Sequence, residues 1–371
     1  MTKDNPFVLR GYVSEDRFCD REQETRDLIA EIESGNNITL IAPRRIGKTG
    51  LIQHVFSQPE IKSRYHTFLI DIYATKTIEE MVQEMGRSIV QELKSKGKKL
   101  LGQFVECLHS LRSSISFDSV GNPSWNVEVG DIRVPTVTLT EVFDYLEHAD
   151  KPCIVAIDEF QAVGGYRGGS VEALLRTHIQ HCHNATFIFS GSQRNMMSEM
   201  FLSHSRPFYQ STSIKSLAPI RRETYISFAQ RLFADKQVSP DTIGRVYDLF
   251  DGTTWYLQRV MNKLYSMRAE GADDTADIAD TAIAKILEDS NFAYQSLLFQ
   301  LPSKQKELLK AIARENKAQG LQSAAFIRKY NLQSASSVQA ALKGLLEKDF
   351  VTEHEGVYEV YDKFFRLWML R

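Results

Sequence analysis

The chain reads as an α/β protein in three parts: a parallel sheet covered on both faces by helices, an all-helical unit, and a small unit of helices closed by a hairpin. Three features carry that reading. Short apolar runs at 38–42, 67–73, 153–157 and 185–189 alternate with longer amphipathic stretches, and strands apolar on both sides belong in a buried parallel sheet. The first run passes directly into a small-residue loop ending in Gly-Lys-Thr, then into an apolar helix start at Leu51-Ile52. From Pro219 onward the periodicity is helical, until residues 350–360 alternate about Glu355-Gly356.

Composition sets the outer limits. At 371 residues there is room for two or three domains, each with a core. Charged residues at 25% and hydrophobic ones at 43% fit a soluble globular protein. A formal net charge of −2 exerts no overall pull on nucleic acid or membrane, so any such surface is local. Cys19, Cys107, Cys153 and Cys182 lack C-x-x-C spacing, which speaks against a disulfide framework and a zinc site. Residues 1–6 carry no apolar signal segment and no run approaches membrane-spanning length. A cytoplasmic protein without a membrane partner is expected.

In chain order, residues 1–17 form an extended lead-in. Phe18-Cys19-Asp20-Arg21-Glu22-Gln23-Glu24 opens a helix through Ile32, with Asp20 as its N-cap and Leu28, Ile29 and Ile32 on its apolar face. Turn residues 34–37 end it. The next stretch organises the chain. The pattern G-x-x-x-x-G-K-[ST] is met by Gly47, Lys48 and Thr49, while Ala42 stands in the first glycine's place. Backbone N–H groups around Gly47 can surround a β-phosphate, aided by the positive end of the following helix. Gly47 permits close approach. Lys48 would reach the β- and γ-phosphates, and Thr49 would give its hydroxyl to Mg²⁺. The phosphate-side candidates are Pro43, Arg44, Arg45, Ile46, Gly47, Lys48, Thr49 and Gly50.

Residues 67–73 form a second buried strand, and a helix runs from about Thr77 to Lys94. Residues 94–99 read as a basic, solvated turn. Between 113 and 135 the pattern becomes alternating about Gly121-Asn122-Pro123, an inserted β-hairpin that either binds a partner or braces the sheet. A helix covers 138–148.

The segment Cys153-Ile154-Val155-Ala156-Ile157-Asp158-Glu159-Phe160 is an apolar strand ending in adjacent carboxylates. Behind a phosphate loop, Asp158 belongs near Mg²⁺ and Glu159 is placed to orient or deprotonate the attacking water. Read alone, the pair is a strand end with solvated acids. The upstream loop makes it a Walker B segment, and the glutamate predicts hydrolysis. Residues 164–169 are a glycine-rich loop, either a nucleotide sensor or a connector. His178, His181, Cys182 and His183 are poorly spaced for one tetrahedral metal site.

Residues 185–192 form another buried strand with a polar tip. Ser190 or Ser192 can hydrogen-bond the γ-phosphate or the water, with Arg194 following. A short fifth strand includes 212–217. Helices then cover about 222–235, 239–250, 255–268 and 276–298. From Pro302, helices at 303–314, 323–330 and 336–348 precede the 350–360 hairpin, which together make a winged helix. Its third helix presents Ser334, Ser336, Ser337, Gln339 and Lys343, and the wing carries Glu353, His354 and Glu355. DNA binding rests on phosphate neutralisation, so this face leaves DNA contact and protein packing both open.

Taken together, Phe18–Glu24, the Pro43–Thr49 loop, Ile157-Asp158-Glu159-Phe160, Ser190-Gly191-Ser192 and the closing Tyr361-Asp362-Lys363-Phe364-Phe365-Arg366-Leu367-Trp368 resemble the archaeal-type ATPases of the STAND class, relatives of the AAA+ group. The resemblance implies a P-loop NTPase core with a parallel sheet in the order 5-1-4-3-2, then an α-helical lid and a winged helix. That places the core at 1–218, the lid at 219–300 and the winged helix at 301–371. It implies that Arg21 and Glu22 lie on the adenine side of a nucleotide held between core and lid. From the residues themselves, the catalytic candidates are Glu159, Ser192 and Arg194, acting with ATP and Mg²⁺, and the metal candidates are Thr49 and Asp158. Two positions depart from the family: Asp20 replaces a glycine, and Thr254 replaces the proline of the lid turn. Arg194, Arg221, Arg222 and Arg259 are all candidates for a charge-stabilising arginine. The expected function is an ATPase switch that alternates between ATP and ADP and is slow without a protein partner. The alternatives are a DNA-binding ATPase resembling origin-recognition proteins and a scaffold that holds ATP without hydrolysing it.

Overall fold

The computed structural model describes residues 5–9, 11–111, 114–117, 123–167 and 171–371. They divide into two compact units. One comprises Val8–Tyr225 with Thr253–Trp255, and the other Ile226–Gly252 and Tyr256–Arg371 with residues 5–7.

The first unit is built on a five-stranded sheet. Its strands are β1 (Ile38–Ile41), β2 (His66–Asp71), β3 (Cys153–Asp158), β4 (Ala185–Gly191) and β5 (Ser213–Ser216). The order is β5-β1-β4-β3-β2 and every pair is parallel, as the family resemblance implied. Period-two alternation explains the apolar runs. Along β3, Ile154 and Ala156 join a cluster with Leu28, Leu51, Ile52 and Val55. Cys153, Val155 and Ile157 point the other way, among Met85, Ile89, Leu139 and Phe143. Because the strands are parallel, their C-terminal ends lie along one edge, where ligands bind in open α/β sheets.

Several local expectations change. The helix after the lead-in is Glu22–Glu33, and Asp20 does not cap it. Asp20 and Arg21 both take left-handed backbone conformations, at φ 53° and 70°, and the helix start carries no side-chain cap. The acids Glu22 and Glu24 favour its positive end instead. The basic stretch 94–99 is not one solvated turn. Helix Ile78–Lys96 continues to Lys96, Gly97 breaks the chain at φ 123°, and a second helix, Lys98–Cys107, follows. In the inserted hairpin, Ile115–Phe117 pairs antiparallel with Pro123–Trp125; its turn at 118–122 lies outside the described residues. Trp125 packs against Gly86 of the Ile78–Lys96 helix, where a Cβ would come within 2.1 Å of the ring. That packing favours bracing over partner binding.

In the second unit, the helix expected over 276–298 is two helices, Ile278–Asp289 and Asn291–Phe299, meeting at Ser290. Trp368 donates from Nε1 to Asn291 Oδ1 at 2.9 Å beside the break. The wing strands Val351–His354 and Val357–Val360 join through Glu355 and Gly356, at φ 51° and 78°, the positive pair of a type I′ hairpin turn. Asp251 accepts from Lys363 Nζ at 2.6 Å and Lys317 Nζ at 3.2 Å, tying the closing helix Lys363–Met369 to the earlier helices.

Candidate functional site

The loop after β1 opens directly into helix Lys48–Ser57, whose N-cap is Gly47 at φ 103°. That conformation suits glycine alone among common residues. The other left-handed residue of the loop is Arg45, at φ 66°. Ala42 is not left-handed, so the position has no conformational need for the glycine of the pattern. Its carbonyl, with that of Pro43, accepts from Lys48 Nζ at 2.9 and 3.1 Å. Lys48 is only 6% exposed. Burial pushes its ammonium downward from the ordinary lysine range, and the Glu159 and Asp158 carboxylates oppose that push.

The acid strand meets this loop. Thr49 Oγ1 donates to Asp158 Oδ2 at 2.5 Å, joining residues 109 positions apart. Asp158 is 6% exposed, and its Oδ1 accepts the Glu159 N–H at 3.0 Å. Glu159 leaves the strand left-handed, at φ 57°. Phe160 behind it is fully buried, its ring 4.6 Å from Phe189 and 5.4 Å from Phe208, which anchors the turn. The Ser192 hydroxyl, just past β4, donates to Glu159 Oε2 at 2.6 Å. Arg44 Nε donates to Ser192 Oγ at 3.0 Å, and its guanidinium lies over the Tyr73 ring at 5.3 Å. Loop, acid pair and β4 tip are thereby one bonded cluster.

The remaining candidates divide. Arg194 begins helix Arg194–Leu202, near enough that its charge acts on Lys48. Arg45 places its guanidinium over Trp255 at 4.6 Å, and its carbonyl accepts the Trp255 N–H at 3.1 Å. Thr254 donates to the Ile46 carbonyl at 3.1 Å. Pro43, Gly47 and Thr49 are exposed, Gly50 is half-buried and Ile46 is buried beneath the loop. Ser190 is wholly buried within β4. Arg21 is buried with its guanidinium bonded to Glu24 at 2.7 Å, and Glu22 is exposed. Of the histidine cluster, His178 stacks on Phe143 at 5.0 Å.

Oxygen ligands suit Mg²⁺, which usually takes one or two protein oxygens and leaves the rest to phosphates and water. Among the described residues no group of three or more His, Cys, Asp and Glu could hold a metal by itself. The adjoining Thr49 hydroxyl and buried Asp158 carboxylate fit the sparser Mg²⁺ pattern.

Two residues were missed. Asp71 ends β2 directly beside Asp158. Lost hydration raises its carboxyl from the ordinary range, and the charges of Asp158 and Glu159 add to that. Its signal was available: it is the acid closing the second apolar run. Gln161 donates from Nε2 to Glu159 Oε2 at 2.5 Å. Nothing in its local sequence marks that role.

A family model described as an ATPase domain predominantly from Archaea matches residues 18–260. Another, described as "Probable winged helix domain", matches residues 292–371. A search of curated proteins gave no match. Among solved structures, the chain is similar to the Walker-type ATPase PABY2304 of Pyrococcus abyssi, at 21% identity and TM-score 0.67 over 99% of this chain and 100% of that one. It is similar to the Aeropyrum pernix ORC2 protein in ADPNP–ADP complexes, at 13% identity and TM-score 0.62 over 100% and 98%. The Aeropyrum pernix ORC1 protein in complex with DNA follows, at 12% identity and TM-score 0.55 over 99% and 96%. At these identities the structural likenesses speak for the fold alone.

Proposed function

The chain belongs to the family of ATPase domains found predominantly in Archaea, and from that premise we propose that it is a Mg²⁺-dependent ATPase working as a nucleotide-controlled switch. The observation that carries the proposal is the 2.5 Å bond from Thr49 to Asp158, with Glu159 next in the chain. Buried opposite charges persist where they are paired or serve a ligand. Here Lys48 and Asp158 are both 6% exposed.

In this reading the Gly47–Gly50 backbone cradles the β-phosphate. Lys48 exchanges its bonds to the Ala42 and Pro43 carbonyls for phosphate oxygens. Thr49 and Asp158 would hold Mg²⁺, which when bound neutralises charge on the β- and γ-phosphates. Glu159 takes a proton from, or aligns, the attacking water. Ser192 holds the Glu159 carboxylate and links it through Arg44 to the loop. Arg194 adds positive charge on the same side. The switch follows because γ-phosphate contacts can hold or release a bistable element, which a protein partner then reads. Turnover is slow alone, because a charge-stabilising arginine can be supplied by that partner. The four free cysteines fit a reducing, cytoplasmic setting. Among the described residues no helix is long and apolar enough to cross a membrane.

A second reading, DNA binding, is favoured by the winged-helix match at 292–371. The helix Ala335–Glu347 would be its recognition element, and binding would weaken steeply with salt.

The leading proposal is tested by phosphate release from ATP by the full chain, with Mg²⁺ and with EDTA, alongside Glu159→Gln. Support is release that needs Mg²⁺ and disappears in the variant while ATP still binds. Release indifferent to both changes rejects it.

A further inference from the structure

We infer that Gln161 is a positioning residue for hydrolysis, holding the Glu159 carboxylate in the orientation from which it handles water. This rests on the proposed role of Glu159 and adds to it. Gln161 is 4% exposed and donates from Nε2 to Glu159 Oε2, the same oxygen that receives the Ser192 hydroxyl. Two donors arriving from different elements fix the plane of the carboxylate and occupy Oε2. Oε1 is left as the oxygen for water. Packing alone does not account for this residue. Its own Oε1 is buried without a hydrogen-bond partner, an arrangement that an apolar side chain of similar size would avoid.

A second observation joins Gln161 to β4. A Cβ added at Gly191 would stand 2.7 Å from Gln161 Oε1 and 2.4 Å from Met197 Sδ. The space that a side chain at Gly191 would need is shared by the Met197 thioether and the Gln161 carboxamide. Gly191 and Ser192 are consecutive, so the strand end that supplies one donor to Glu159 also seats the other. Arg44 extends the chain of contacts from Ser192 to the phosphate loop.

The test uses the full chain and four variants: Gln161→Leu, Glu159→Gln, the two together, and Gly191→Ala. Affinity is measured with a fluorescent ATP analogue and Mg²⁺, and chemistry by single-turnover hydrolysis. Gln161→Leu is expected to slow hydrolysis about tenfold with affinity changed less than about twofold, the signature of lost alignment rather than lost binding. In the Glu159→Gln background the same substitution should add nothing, because a residue acting through another is silent once that other is gone. Gly191→Ala, which displaces the carboxamide without removing it, should slow hydrolysis in the same sense. Parental hydrolysis in Gln161→Leu, or an equal loss on top of Glu159→Gln, overturns the role of Gln161 and leaves Glu159 as the base. Parental hydrolysis in Glu159→Gln alone overturns the base assignment and the positioning role together.

Discussion

The phosphate loop and the winged-helix face are both helix starts rich in polar residues, and they treat those residues in opposite ways. At helix Lys48–Ser57 and the loop before it the polar atoms bind outside the helix: Lys48 to the loop carbonyls, and Thr49 and Arg44 to the distant Asp158 and Ser192. At helix Ala335–Glu347 they serve the helix itself. The Ser334 hydroxyl accepts the Ser337 N–H as an N-cap, and Lys343, 79% exposed, faces Glu347 at 3.9 Å. A buried charge costs free energy and needs a reason. An exposed serine face costs almost nothing and needs none. The first arrangement therefore argues for a ligand, while the second is compatible with DNA, a protein or water.

Substitutions can break that contrast, beginning with the largest effect. Glu159→Gln removes the proposed base and should slow hydrolysis by about 10²–10⁴-fold, measured by single turnover, with ATP still bound. Lys48→Ala should weaken ATP by about 100-fold or more, roughly 3 kcal/mol, in equilibrium binding. Affinity left at the parental level would remove the loop from the site.

A third effect is on stability, and its sign can be worked out. His54, on the helix behind the loop, is buried among Phe18, Tyr12 and Gln58. Burial lowers it from the ordinary histidine range, against the opposing pull of Glu15. Above about pH 6.5 the ring is neutral in both folded and unfolded chains, and its contribution is complete. As pH falls toward the lowered folded value, the unfolded chain gains a proton that the folded one refuses, and stability is lost. Thermal midpoints should therefore drop on acidification below about pH 6.5, and less so in His54→Gln. Equal slopes in the two proteins would show that other groups set the acid limb.

The smallest effect is at the other region. Lys343→Ala should leave nucleotide affinity unchanged and, if duplex DNA binds, reduce the slope of log affinity against log salt by about one unit or less. DNA binding unaltered in affinity and slope would take this face out of nucleic-acid contact.

How far sequence served depended on whether the deciding atoms were local. The loop, the Asp158-Glu159 strand end and the Glu355-Gly356 wing turn each carry their chemistry within a few residues, and each was legible. The strand order came from the family resemblance rather than from periodicity. Asp20 looked like a cap because its side chain suits one, but the backbone there is left-handed. Ser290 was hidden because apolar spacing continues through the break. The helix Lys98–Cys107 was hidden behind a run of lysines. Gln161 was out of reach altogether: its role depends on the space at Gly191 and the hydroxyl at Ser192, about 30 residues away in sequence and adjacent only after folding.

The central question is whether the loop and the acid strand serve one ligand. A double-substitution cycle between Lys48→Ala and Asp158→Asn, read as equilibrium affinity for ATP with Mg²⁺, asks that directly. If both side chains engage the same triphosphate and metal, the paired variant should lose less than the sum of the single losses, with a coupling of about 1 kcal/mol or more. Strict additivity, or an Asp158→Asn protein that binds ATP and Mg²⁺ as the parent does, would contradict it.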